Sequence, residues 1–140
     1  MNKQWVNFEI AGEDYCLMVD DIQEILNYEA PTPVPGAVDE VTGILNVRGE
    51  IVTVISGRQL LDLGQKEPNE TWRIITMQSH GVYYGLIVDA VNEMIEINMD
   101  FLETAPNTGN ASSNELIMGT YHHKERLIIA LDLSKYVEYA

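Results

Sequence analysis

Cysteine occurs once in these 140 residues, at Cys16, which excludes an internal disulfide and any metal cage built from several thiolates. Cys16 lies in a strand-like run and reads as a small buried hydrophobe. Cations are scarce as well: eight Lys and Arg stand against 22 Asp and Glu, a formal net charge of −14. Such a surface repels phosphate backbones and anionic headgroups, so the reading turns away from nucleic acid and membrane surfaces. Long apolar runs are missing too. Stretches such as Leu127 to Leu131 fall far short of the roughly 20 residues that a membrane helix needs. The start, Met1 to Trp5, enters a strand-like pattern with no signal-peptide core, so a cytoplasmic protein with no direct membrane insertion is expected.

Catalytic signatures are equally sparse. There is no Gly-rich phosphate loop, no Gly-x-Ser-x-Gly elbow and no His-Glu-x-x-His helix. His122-His123 with Glu125 has metal-ligand character. Successive strand residues point to opposite faces, however, so the segment reads as an exposed hairpin turn. Asp20 and Asp21 follow a strand, and Asp20 with Gln23 resembles a capping box. The expectation is a non-enzymatic protein with no cofactor and no metal.

What the chain does have is size and apolar content. Hydrophobic residues make up 46% of it, and a chain of this length can bury roughly 70% of its unfolded surface. It also repeats. Tyr15 to Ile25, set above Tyr84 to Met94, pairs each residue with one 69 positions later. Tyr, Leu, Val, Asp and Glu recur there, Gly12 falls on Gly81 and Val6 on Ile75. A second block repeats at an offset of 76: Gly43 matches Gly119, and Ile51 to Ile55 match Leu127 to Leu131. The loop-like stretch Pro106 to Asn114 absorbs the difference. The chain reads as a duplication.

Each copy has the same local pattern. Val6 to Ile10 and Tyr15 to Val19 form a hairpin, echoed by Arg73 to Met77 and Tyr83 to Val88. Pro31, Pro33 and Pro35 confine their segment to edge or loop. Val41 to Val47 and Ile51 to Ile55 turn at Arg48-Gly49-Glu50, echoed by Leu116 to His122 and Arg126 to Leu131. Short helices are predicted at Arg58 to Leu63 and Leu133 to Val137. About five short strands per copy make an all-β protein, most economically two small barrels facing each other across a groove.

Arg48 stands out as a cation at a strand-to-strand turn of an acidic protein. It is either a solvated or carbonyl-binding turn residue or a recognition contact beside an apolar groove. Ile22-Gln23-Glu24-Ile25-Leu26 alternates apolar and polar, half core and half contact surface.

These pieces together resemble the CheW family of chemotaxis coupling proteins. Gly43-Ile44-Leu45-Asn46-Val47-Arg48-Gly49 looks like the family's Gly-hydrophobic-x-Asn-hydrophobic-Arg-Gly turn, followed by the apolar strand to Ile55. Ile22 to Ile25, Thr32 to Pro35, Val88 to Val91 and Leu131 to Leu133 support it in family order, from about Trp5 to Val137. The resemblance implies two pseudo-symmetric, five-stranded Src-homology-3-like barrels with short helices in a single CheW-like domain over 1–140. Lobe one would span about 5–70 and lobe two about 71–140. It implies a scaffold that joins the cytoplasmic tip of chemoreceptors to the regulatory domain of the histidine kinase CheA, recruited to membrane receptor arrays. Kinase contacts would fall on Ile22, Glu24 and Ile25, and receptor contacts on Gly43, Val47, Arg48, Ile74 and Met94.

The sequence departs from the family pattern at Thr53, where proline is usual, and at Ser56-Gly57, where an Asp-Leu pair is usual. These changes weaken the expected start of the following helix. Alternatives are a CheW-like scaffold of a non-chemotaxis kinase array serving pili or biofilm, or a small-ligand-binding β-barrel.

Overall fold

The computed structural model describes residues 2–103 and 116–134. Ten strands run in chain order: β1 Asn2–Ile10, β2 Glu13–Met18, β3 Glu24–Asn27, β4 Val41–Val47, β5 Glu50–Ser56, β6 Arg73–Ser79, β7 Val82–Val88, β8 Ala90–Asn98, β9 Ile117–His123 and β10 Arg126–Leu131. They make two five-stranded sheets, ordered β8-β1-β2-β10-β9 and β3-β6-β7-β5-β4. The all-β reading holds. The loop expected from Pro106 to Asn114 and most of the helix expected from Leu133 to Val137 lie outside the described residues.

Both offsets of the duplication reappear as strand register. Trp5 opposes Met18 as Ile74 opposes Ile87, and Val6 opposes Met94 as Ile75 opposes Ile25. The parallel pair β2/β10 places Ile128 beside Asp14, and its counterpart β7/β5 places Val52 beside Tyr83. Even an irregularity is repeated. β4 shifts register between Val41 and Gly43, and β9 shifts between Ile117 and Gly119. A Cβ on Gly43 would overlap the Thr32 carbonyl oxygen, and one on Gly119 would lie 2.7 Å from the Glu103 carbonyl oxygen. In each copy a crossing segment bridges onto the shifted strand, Thr32 to Ile44 and Glu103 to Thr120. Gly43 and Gly119 are matched because backbone passes over both.

The copies are nevertheless not the lobes. Division at about residue 70 is corrected by the strand pairing: hairpin β1–β2 sits in the sheet with β8, β9 and β10, and hairpin β6–β7 sits with β3, β4 and β5. Each copy lends its hairpin to the other. The chain changes sheets at Val19–Gln23 and at Asp89, the one residue between β7 and β8. Asp89 is held on all sides. Its N–H donates to the Glu9 carbonyl (2.9 Å), and its carboxylate accepts from the Ala11 N–H (3.0 Å). Arg58 grips the same carboxylate with two donors, Nε at 3.2 Å and Nη2 at 2.5 Å.

Strand alternation sends neighbouring residues into different cores. In the first sheet Trp5, Cys16, Ile95, Ile97, Ile128 and Ala130 share an interior that Tyr121 of β9 completes, so all five strands curl around it. Leu45, Val52, Val54, Ile74 and Ile87, with Leu26 of β3, do the same in the second. Phe8, Tyr15 and Leu17 on one sheet meet Ile55, Ile75, Leu86 and Val88 of the other in a central core. Where the barrels face each other, they are packed and not parted by a groove.

The small elements differ from expectation in detail. Asp20 does not cap: Val19–Asp21 is a 3-10 turn without a side-chain cap, and the Asp20 carboxylate takes the Lys3 ammonium at 3.2 Å. The helix after β5 is shorter than predicted, α1 Gly57–Leu60. Ser56 supplies its start, with Oγ accepting the Gln59 N–H at 3.2 Å. Gly57 is required beside it, because a Cβ would come within 2.6 Å of the Ile87 carbonyl oxygen and the Ile10 side chain.

Candidate functional site

β3 and β4 are the outer strands of the second sheet, and the β4–β5 turn leans over the seam between them. That turn has two central residues, Arg48 and Gly49, both at positive φ (51° and 87°), with Val47 opposite Glu50. A mirror-image turn of this kind matches strand twist and demands left-handed backbone at both positions, which is why glycine occupies the second. Asn46 fixes it by accepting the Gly49 N–H on its side-chain oxygen at 2.9 Å. Val47 packs against the interior of the second sheet and anchors the turn.

Held this way, the Arg48 guanidinium donates to the Glu24 carboxylate across the seam. Glu24 is positioned from below by Thr76. The Thr76 hydroxyl accepts the Glu24 N–H and donates to the Glu24 carbonyl, both at 3.1 Å. A cleft of about 160 Å³ opens beside the pair, with Val52, Thr76 and Tyr83 among its walls. Ile25 on β3 is 40% exposed and Ile51 on β5 is 53% exposed, and strand alternation turns both to the outer face of the sheet, away from the cleft. Among the described residues no three His, Cys, Asp or Glu side chains gather to hold a metal.

The expected site residues therefore divide. Glu24, Val47 and Arg48 come together at this cleft, whereas Ile25, next to Glu24 on β3, faces the other side of the strand. Ile22 is half-buried against the central core and supports the seam from behind. Met94 lies on β8 of the other sheet, 59% exposed, at the duplicate position of Ile25. Two expected receptor contacts are corrected. Ile74 has no exposure and fills the interior of the second sheet, so it cannot meet a partner. Gly43 is buried under the Thr32 carbonyl, where its role is to leave room. Thr76 was missed and left no signal, since nothing in a strand-interior threonine announces that it clamps a neighbouring strand.

The chain matches the CheW-like domain family over residues 4–140. It belongs to the CheW-like family. Among relatives it is similar to the chemotaxis protein CheW of Bacillus subtilis, 28% identical over 93% of this chain and 83% of that protein. It is also similar to the protein PilI of Pseudomonas aeruginosa, 25% identical over 89% of this chain and 70% of that one. A crystal structure of the scaffolding protein TtCheW from Thermoanaerobacter tengcongensis matches with a TM-score of 0.85 and 30% identity, covering 95% of this chain and 86% of that one. For a CheW-like domain, the Gly43 to Gly49 motif now has a physical account. Gly43 admits a crossing segment, Asn46 sets the turn, Val47 anchors it and Arg48 projects from it.

Proposed function

We propose that this CheW-like chain is a non-enzymatic scaffold that couples chemoreceptors to the histidine kinase CheA in a signalling array. The observation that carries the reading is the match along almost the whole chain to CheW proteins and to a solved scaffolding protein of the same fold. The seam supports it from the other direction, offering a cation–carboxylate pair beside a cleft partly walled by Val47, Val52 and Tyr83. The CheA regulatory domain docks on Glu24 and Ile25, with Ile22 holding β3 in place. The receptor tip, a helical hairpin, meets Val47 and Arg48 and reaches Met94 on the other sheet.

No helix among the described residues is long and apolar enough to cross a membrane. Recruitment to the membrane is through the receptors. The similarity to PilI favours one second reading, the same scaffold chemistry in an array linked to pili.

Titration calorimetry against CheA regulatory domains and receptor cytoplasmic fragments from the same genome tests both. Saturable one-to-one binding to a chemotaxis pair supports the first reading. Binding only to a pilus-linked pair supports the second, and binding to none removes the scaffold assignment.

A further inference from the structure

The open end of the β4–β5 hairpin, away from the Arg48 turn, holds a second cleft. Its volume is about 230 Å³, and Tyr28, Asp39, Thr42, Arg58, Lys66 and Trp72 are among its walls. The frame is tied down. The Tyr28 N–H donates to the Trp72 carbonyl at 3.2 Å, and the two rings meet edge to face with centroids 5.5 Å apart. The Thr71 hydroxyl donates to the Asp89 carbonyl at 2.7 Å, which fixes the segment leading into Trp72. A cleft smaller than the ~300–1,000 Å³ of drug-sized sites suits a molecule of amino-acid size.

Three polar side chains on it have no partner among the described residues. Trp72 is 6% exposed, and its buried Nε1 N–H finds no acceptor. A buried donor left unpaired is costly, and the fold supplies nothing to satisfy it. Lys66 and Asp39 bring opposite charges to the same cleft, yet neither makes an ion pair. Arg58, by contrast, is committed to Asp89.

These charges decide what the cleft takes. A simple anion would meet Lys66 but also Asp39, and Glu67 as well, whose charge adds to the burial that pushes the Tyr28 hydroxyl up. A simple cation would meet Asp39 with Lys66 beside it. A molecule that carries both charges satisfies both. We propose that this cleft binds a free α-amino acid as its zwitterion. The carboxylate accepts from the Lys66 ammonium and the Trp72 indole N–H, and the ammonium donates to Asp39 beside the Tyr28 ring. Ile87, an apolar wall, suits a small aliphatic side chain. Because the site lies at the far end of the hairpin, its occupant leaves the Glu24–Arg48 seam free.

Titration of the full chain with L-valine at neutral pH, followed through the indole N–H resonances by NMR, tests this. The chain has two tryptophans, and Trp72→Phe assigns their signals. The Trp72 indole signal should shift saturably with a Kd of about 1 mM, while that of Trp5, inside the first sheet, stays in place. Lys66 and Asp39 are exposed, so Lys66→Ala and Asp39→Ala should each weaken binding about tenfold with the melting temperature unchanged. Lys124→Ala, at a lysine outside the cleft, should bind as the unmodified chain does. N-acetylvaline, which lacks the ammonium, and valinamide, which lacks the carboxylate, should each bind about tenfold more weakly. A Trp72 signal that ignores valine, an affinity untouched by Lys66→Ala or Asp39→Ala, or equal binding of either analogue would overturn the proposal.

Discussion

Glu24 and Arg48, 24 positions apart in the chain, meet across the seam between β3 and β4. The kinase and receptor faces proposed for this protein therefore share one ion pair, and each contains one of its members. The pair is only partly buried, with Arg48 70% and Glu24 29% exposed in their side chains, so water screens it and its own contribution to stability is small. In the proposed function its weight lies in recognition. Arg48→Glu is expected to weaken receptor-fragment binding about tenfold or more and leave the unfolding midpoint nearly unchanged. The swapped double variant, Glu24→Arg with Arg48→Glu, should remake the seam without regaining the partner. Calorimetry alongside thermal melts separates these outcomes, and recovery of binding by the swap would make the pair structural.

Gly43→Ala should behave in the opposite way. The added methyl meets the Thr32 carbonyl and must push a crossing segment off β4. A loss of about 3 kcal/mol in unfolding free energy is expected, with any binding defect following from it. Chemical denaturation checks this, and a variant of full stability with impaired binding would restore Gly43 to the contact surface.

Asp89 joins both sheets and α1 at the point where the chain crosses between them. Asp89→Ala strands the Arg58 guanidinium, whose side chain is only 12% exposed, and frees the Ala11 N–H. The expected cost is about 3 kcal/mol, most of it the burial of an unpaired charge. A denaturant series should show it; a change below about 0.5 kcal/mol would mean that Arg58 finds water instead.

Asp21 gives a pH dependence. Burial first, and then the neighbouring Asp132 and Asp20 carboxylates, hold its carboxyl above the usual range. A folded-state value raised for an acid means that the native state keeps a proton that the unfolded chain releases. This group therefore disfavours folding above that range, and the penalty fades as pH falls. Asp21→Asn should raise the melting temperature at pH ~7 by about 2 °C, a small effect because the site is mostly solvated, and the gain should shrink in acid and vanish below pH ~3. A gain that persists in acid would point to packing.

Much of this architecture was legible because duplication writes itself into spacing. The offsets of 69 and 76 recur in the strand registers, and Gly43 and Gly119 were matched before any strand was placed, though not as crossings. Hairpin exchange was not legible. Periodicity reports which face of β1 or β6 is apolar, but β3 would satisfy its alternation equally well against either one. Ile74 failed for a related reason: in a strand apolar on both faces, alternation does not say which face meets solvent. The Glu24–Arg48 contact was hidden by separation in sequence, though Arg48 had been singled out for its charge and Glu24 by the family resemblance.

The most direct test of the scaffold is reconstitution with three components. A CheA regulatory domain, vesicles bearing receptor cytoplasmic fragments, and this chain are mixed and the vesicles sedimented. The account predicts that the kinase domain pellets with the vesicles only when this chain is present, and that Arg48→Glu abolishes the bridge. Binding of each partner alone, with each displacing the other, would contradict it.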